Sequence, residues 1–323
     1  LRKRRADKMI KSAVCDLLGI KYPLFQGGMA WIADGRLAAS VSEAGGLGII
    51  AAGNQRAEDI RKQIIIAREL TDKPFGLNIM LMSRYADEIA ELAVEEKVAA
   101  VTTGAGNPSK YMAAWKAAGI KVIPVVASVA MAKMMKRLGA DALIAEGGES
   151  GGHVGELTTM VLVPLICDAA GELPVIAAGG IADGRGMAAS FMLGACGVQM
   201  GTRFLSAEEC TIHPVYRERV LKANDLSTAV TGKRINHAAR SLRTAFVREF
   251  QNAEYGGSTD EELAGLSAGR FRMAVQDGDL EKGCFLCGQA AAMVNKVQPA
   301  AEIVKEVCEG AEQILLKAPG FIN

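Results

Sequence analysis

Between residues 23 and 204 the chain alternates short, continuously apolar runs with longer stretches of helical period. The apolar runs are PLFQGG (23–28), LGIIAA (47–52), FGLNIML (75–81), AAVTTG (99–104), KVIPVV (121–126), ADALIAEG (140–147), PVIAAGG (174–180) and GVQMGTRF (197–204). Runs that are apolar at every position, rather than at alternate ones, fit parallel strands buried on both faces. Between them, Ile60, Ile64 and Ala67 share one helical face, as do Ile89, Leu92 and Ala93. Asp34, Asn107 before Pro108, Ser128, Thr158 and Asp183 stand where helix N-caps are expected. Eight strands, each followed by a helix except at the eighth, predict an α/β fold of the (β/α)8 TIM-barrel kind. An open, doubly wound sheet is the alternative, but no change in connection pattern marks a switch point.

After Phe204 the rhythm stops. Residues 205–275 are polar and read as helical, and 285–316 as one or two helices containing GQAAAMV and AEIVKEVCEGAEQILL. The expected organisation is a barrel over 9–205, a smaller helical cap or insertion over 206–275 with a basic face, and C-terminal helices over 276–323 that return to the barrel. The first eight residues, LRKRRADK, carry five basic groups and one acid, and Met9 opens the first patterned segment. Residues 1–8 therefore read as a tag or extension.

Composition narrows the class. Half the residues are hydrophobic but only 5% aromatic, with 36 glycines against nine prolines, so the core is built from small aliphatic side chains and many tight turns. A formal charge of +1 argues against general nucleic-acid binding. No apolar run reaches the ~18–20 residues of a membrane-spanning helix. Seven cysteines, an odd number in a chain of this size, read as thiols in a reducing cytoplasm rather than as disulfide staples. CFLC (284–287) lacks a second pair, and with three histidines in all no metal centre is expected.

In such a barrel the chemistry belongs at the C-terminal ends of the strands. Those ends read GGMA, AAGN, NIML, TGAGN, VVAS, EGGESGGHVG, AGGIADG and MGTRF. Small, amide-rich ends suit a flat anionic ligand lying against the main chain. The last two loops, with Gly179, Gly180, Gly201 and Thr202, occupy the usual phosphate position, although such glycines also serve simply as strand-to-helix turns. His153, past the sixth strand, can exchange a proton near neutrality; the alternative is a ring that hydrogen-bonds its own loop. His213 has a weaker case, and His237 fits a cap over the site. Residues 215–250 hold eight basic side chains (Arg217, Arg219, Lys222, Lys233, Arg234, Arg240, Arg243, Arg248) against three acids, either a docking face or a solvated one.

The segments FQGGMAWIADGRLAASVSEAGGLGII, DKPFGLNIML, VTTGAGNPSKY, AEGGESGGHVGELTTM, PVIAAGGIADGRG and VQMGTRF resemble the FMN-dependent enoyl-acyl-carrier-protein reductases (FabK-type) of type II fatty-acid synthesis. These belong to the nitronate monooxygenase, or 2-nitropropane dioxygenase-like, superfamily. The resemblance implies FMN, with its phosphate on Gly179, Gly180, Gly201 and Thr202. It places the isoalloxazine near Gly28, Met29, Ala30 and Asn78, and sets Glu146, Gly151 and Gly152 beside the ring and ribityl chain. Met200 joins the cofactor-binding set. The implied reaction is reduction of a trans-2-enoyl thioester by NADH or NADPH through the flavin, with His153 as the donor to the thioester oxygen or the proton relay. An acyl-carrier protein as partner, a homodimer and a response to a monovalent cation also follow from the resemblance. In the monooxygenase branch the same histidine is a base acting on a nitroalkane. Nitronate monooxygenase is therefore the first alternative, and a non-catalytic flavin-binding barrel the second.

Overall fold

The computed structural model describes residues 10–321, so the expected extension at 1–8 lies outside the described residues. Eight parallel strands form the central sheet: β1 (Leu24–Gln26), β2 (Gly48–Ala51), β3 (Phe75–Met80), β4 (Ala100–Gly104), β5 (Lys121–Val126), β6 (Leu143–Glu146), β8 (Val175–Ala178) and β9 (Gly197–Met200). A two-residue strand, β7 (Gly152–His153), lies between β6 and β8 but pairs elsewhere. The order β1-β9-β8-β6-β5-β4-β3-β2 has no reversal, and a parallel bridge from Phe25 to Leu47 brings the two ends together. The doubly wound alternative is thereby removed, and the fold is a TIM barrel.

Side chains alternate across the staves. Phe25, Ile49, Ala100, Ile123, Ile144 and Ile176 fill the barrel, with Val14 and Leu18 of the short helix Ala13–Leu18 packed against them. The opposite faces, among them Leu77, Val101 and Val122, meet the surrounding helices. Ile60, Ile64, Ala67, Ile89, Leu92 and Ala93 are all buried there, as their spacing predicts. Asp34, Ser128 and Asp183 cap their helices by accepting backbone N–H groups of Leu37, Met131, and Arg185 with Gly186, respectively. Asn107 accepts from Ser109 N at 2.9 Å. Thr158 stands at its N-cap without a side-chain bond, because the Glu149 carboxylate, earlier in the same loop, takes that place.

The eighth helix arrives late. After β9 a 3₁₀ turn (Thr202–Ser206) leads into the cap, and only Ala300–Lys317 returns to pack against the helices Gly184–Met192 and Gly35–Glu43. Gly184 makes this docking close: a Cβ there would lie 2.4 Å from Ala311 N and 2.5 Å from the Gly310 carbonyl carbon.

The cap contains more than helices. Besides Pro214–Leu221, Ala245–Tyr255 and Asp260–Ser267 it holds an antiparallel hairpin, β10 (Thr228–Thr231) and β11 (Ala239–Leu242). The free edge of β11 pairs with β7, giving a three-stranded sheet that joins cap to barrel. Ala229, Phe246, Val247, Phe250 and Leu263 form the cap's own small core. Its basic residues are largely occupied. Arg217, Arg219, Arg234, Arg240 and Arg243 donate to backbone carbonyls, and Lys222 pairs with Glu218. No helix of the described residues is long and apolar enough to cross a membrane.

Candidate active site

At the C-terminal ends of the staves a cavity of about 500 Å³ opens, lined by His153 and every residue expected to bind the cofactor, while His237 lines a neighbouring cavity and His213 instead accepts Val215 N–H at 3.2 Å. Gly28, Met29 and Ala30 follow β1, Asn78 projects from β3, and Glu146 ends β6. Gly151, Gly152 and His153 belong to the next loop and β7. Gly179 and Gly180 follow β8, while Met200, Gly201 and Thr202 lie at the end of β9.

The reasons for the glycines differ from place to place. Gly151 is required by the protein itself: a Cβ there would sit 2.5 Å from the Cys287 carbonyl carbon and 2.7 Å from Gly288 N. Gly28 makes room for Asn78, whose amide donates to Thr102 Oγ1 at 2.9 Å. Gly179 and Gly180 hold φ of +93° and +70°, a turn that side chains resist. At Gly201, by contrast, a Cβ would fit, in ordinary contact with Met29 Sδ at 3.5 Å. The N–H groups of Gly180 and Gly201, at two successive strand ends, find no acceptor among the described residues. The Ser150 hydroxyl is buried on the cavity wall and also lacks a hydrogen bond. Unpaired donors in such a place fit an anionic ligand with phosphate at the Gly180–Gly201 end. The Thr202 hydroxyl is partly committed, accepting Gly288 N–H at 2.8 Å.

Three ionisable groups organise the sixth loop. The Glu149 carboxylate accepts Thr159 N–H at 2.9 Å and the Thr159 hydroxyl at 2.9 Å, so it caps the helix Thr159–Ala170 from across the loop. Glu149→Ala is expected to cost about 1–2 kcal/mol, the value of a lost cap next to a helix dipole; urea unfolding measures it, and an unchanged midpoint would refute this role. Burial pushes the Glu146 carboxyl above the usual range, and the nearby Ser150 hydroxyl draws it back only in part, without a hydrogen bond of good geometry. His153 is exposed to the cavity mouth, and its backbone is fixed by the cap: Gly152 and His153 pair with Arg240 and Ala239, and Val154 N–H donates to Ala238 at 3.0 Å. The surrounding walls, and then His237, hold its pKa below the ordinary imidazole value. It is therefore neutral at pH 7, with one nitrogen a donor and the other an acceptor.

The remaining wall has no counterpart in the strand-end pattern. Phe271, from the single helical turn Arg270–Arg272, and Leu286, Cys287, Gly288 and Ala290, from the segment that runs into the 3₁₀ turn Gln289–Met293, also reach the cavity, and no motif points to them. Tyr216 Oη–H donates to Leu286 O at 2.5 Å and packs edge-on against Phe285, anchoring that segment. Trp31 has φ of +64°, costly for a bulky residue by about 1–3 kcal/mol. Its ring lies 5.3 Å from the Arg272 guanidinium, beside Phe271. Cys284 and Cys287 are free thiols raised by burial to about 11 and about 12, which leaves them poor nucleophiles.

The nitronate monooxygenase family model matches residues 11–310. Among solved structures, FabK from Thermotoga maritima has 50% identity over 97% of this chain and 100% of its own, with a TM-score of 0.94. The (3aS,4S,5R,7aS)-5-hydroxy-7a-methyl-1-oxo-octahydro-1H-indene-4-carboxyl-CoA dehydrogenase of Mycobacterium tuberculosis is 37% identical over 83% of this chain and 75% of its own length. A probable nitronate monooxygenase of Staphylococcus aureus is 31% identical, covering 94% of this chain and 98% of its own. With the barrel, the glycine-lined cavity and matches along nearly its whole length, the chain belongs to the nitronate monooxygenase family of oxidoreductases.

Proposed function

We propose that this protein is an FMN-dependent reductase of trans-2-enoyl thioesters, using NADH or NADPH to complete a cycle of fatty-acid elongation on an acyl-carrier protein. The observation that carries this reading is the 50% identity to FabK across 97% of the chain. A relative named for a carboxyl-CoA substrate also supports a thioester.

Gly179, Gly180, Gly201 and Thr202 would hold the FMN phosphate, using the unpaired N–H groups at that end. Gly28, Met29, Ala30 and Asn78 would lie near the ring, with Glu146, Gly151 and Gly152 near the ring and ribityl chain and Met200 completing the cofactor-binding set. Bound FMN supplies hydride exchange between NAD(P)H and the β-carbon of the enoyl group. The chain's own task is to stabilise the negative charge that then gathers on the thioester oxygen. His153, neutral and held on β7, donates its N–H there. Phe271 and Leu286 keep that end of the chamber apolar and limit water. An acidic carrier protein would meet the cap, where Lys233 and Arg248 have no internal ion-pair partner among the described residues.

The test is anaerobic mixing of the flavin-loaded protein with NADH or NADPH, followed by crotonyl-CoA. Bleaching and then recolouring of the flavin is expected; a protein that does not bleach but oxidises nitroalkanes would overturn the reading.

The family match and the lowered pKa of His153 favour nitronate monooxygenase as the second reading, since an unprotonated imidazole is ready to act as a base. The pH profile separates the two. A base is lost as pH falls through its pKa, which here lies below the ordinary imidazole range. An acid limb below about pH 6.5 is thus expected with a nitroalkane substrate. As a hydrogen-bond donor to a thioester His153 keeps its N–H on protonation, and no acid limb belonging to it is expected.

A further inference from the structure

A second cavity, of about 520 Å³, lies between the cap hairpin and the His153 loop. Glu149, His153 and Gly155 line both cavities, so the imidazole borders the two. The hairpin contributes Lys233, Asn236, His237 and Arg240, and Gln289 closes the opposite side.

This hairpin turn is built to hold its shape. The buried Glu254 carboxylate accepts Gly232 N–H at 3.0 Å and Arg234 N–H at 2.9 Å, and His237 N–H donates to Gly232 O at 2.9 Å. Arg234 is turned aside, bonded to the carbonyls of Glu254 and Ser258. Lys233 lies between these two clamped residues. Its ammonium and the side chains of Asn236, His237 and Gln289 make no hydrogen bond within the described residues. Asn236 itself holds φ of +56°, a conformation maintained by its surroundings.

The charge balance favours an anion. Arg240 is half-buried and donates to Gly148 O and Thr228 Oγ1, but no carboxylate pairs with it among the described residues. Of the two acids on the walls, Glu149 is already engaged by the start of the helix Thr159–Ala170, and Glu156 is exposed. A half-buried guanidinium without an ion-pair partner among the described residues, beside an unpaired lysine and side-chain donors, suits a phosphate.

We propose that this cavity binds a ribose phosphate monoester of a nucleotide-bearing reactant, with Lys233 and Arg240 supplying charge and Asn236, His237 and Gln289 supplying further hydrogen bonds. The 2′-phosphate of NADPH and the 3′-phosphate of a CoA thioester share this chemistry, and either would send its reacting end past His153 into the first cavity. The naming of these reactants rests on the reductase reading; the phosphate site itself does not.

The test uses the flavin-loaded, full-length protein and its Lys233→Ala and Lys233→Arg variants. KM is measured for NADPH against NADH, and for crotonyl-CoA against the crotonyl thioester of N-acetylcysteamine. Calorimetry follows binding of adenosine 2′,5′-bisphosphate and adenosine 3′,5′-bisphosphate. Loss of one charge-assisted contact weakens binding on the order of tenfold, with most of it restored by arginine. A rise confined to NADPH assigns the site to the nicotinamide reactant, and one confined to crotonyl-CoA assigns it to the thioester. Equal effects within each pair, or no change in any measurement, overturn the proposal. A protein inactive on enoyl thioesters whose bisphosphate binding still depends on Lys233 would refute the reductase reading and leave the site standing. Because Lys233 is exposed at a turn, thermal melting of each variant verifies that the fold is intact.

Discussion

His153→Ala is expected to reduce the rate of enoyl-thioester reduction by about 10²–10³, the usual consequence of removing one donor to a developing oxyanion. Among the described residues no other histidine lines the first cavity. The substitution leaves the structure around it in place, because β7 pairs with β11 through main-chain groups that alanine retains. Flavin content and flavin reduction by NAD(P)H should therefore stay near the parent values, with the loss confined to reoxidation by the enoyl thioester. His153→Gln, which keeps an N–H donor, should recover part of the rate. Rapid-mixing absorbance resolves the two half-reactions; a wild-type reoxidation rate in the alanine variant would remove His153 from the chemistry.

Gly184→Ala should be strongly damaging to the packing of the late helix. The added carbon meets the backbone of Gly310 and Ala311, which cannot rotate away as a side chain would, so the late helix must shift outward. Overpacking of this kind costs about 3 kcal/mol, a drop in Tm of about 4 °C for a chain of this size. Gly265→Ala is the matched control. That residue is exposed within the helix Asp260–Ser267 with nothing near its missing Cβ, and gains of about 0.4–1 kcal/mol are typical of such positions. Equal melting temperatures for the two variants would show that the helix contact is not tight.

The staves could be read from the chain because two buried faces leave unbroken apolar runs, and the caps at Asp34, Ser128 and Asp183 because a short polar side chain there has a local job. The hairpin had no such signature. TAVT and ARSL are short and half-buried, and the strand that completes their sheet is two residues of a glycine loop. Gly151 illustrates a different limit: composition shows that a side chain is missing, but only the fold shows that Cys287 and Gly288 occupy the space. The cavity wall from Phe271 to Ala290 was illegible because its pieces are loop and single helical turns, too short for a period to show. In the basic segment, charge was countable but its use was not, since five of the arginines donate to backbone carbonyls.

The late return of Ala300–Lys317 also dictates an order of events during synthesis. Once β9 has emerged, the barrel has all its staves but one helix too few, and the groove between Gly35–Glu43 and Gly184–Met192 is bare. Roughly 100 further residues must be made before that groove is covered, a delay of about 5–20 s at ordinary elongation rates. During this interval an apolar channel stands open to other nascent chains. The gap in the helical ring is thus a point of vulnerability to aggregation and a natural place for a chaperone to hold.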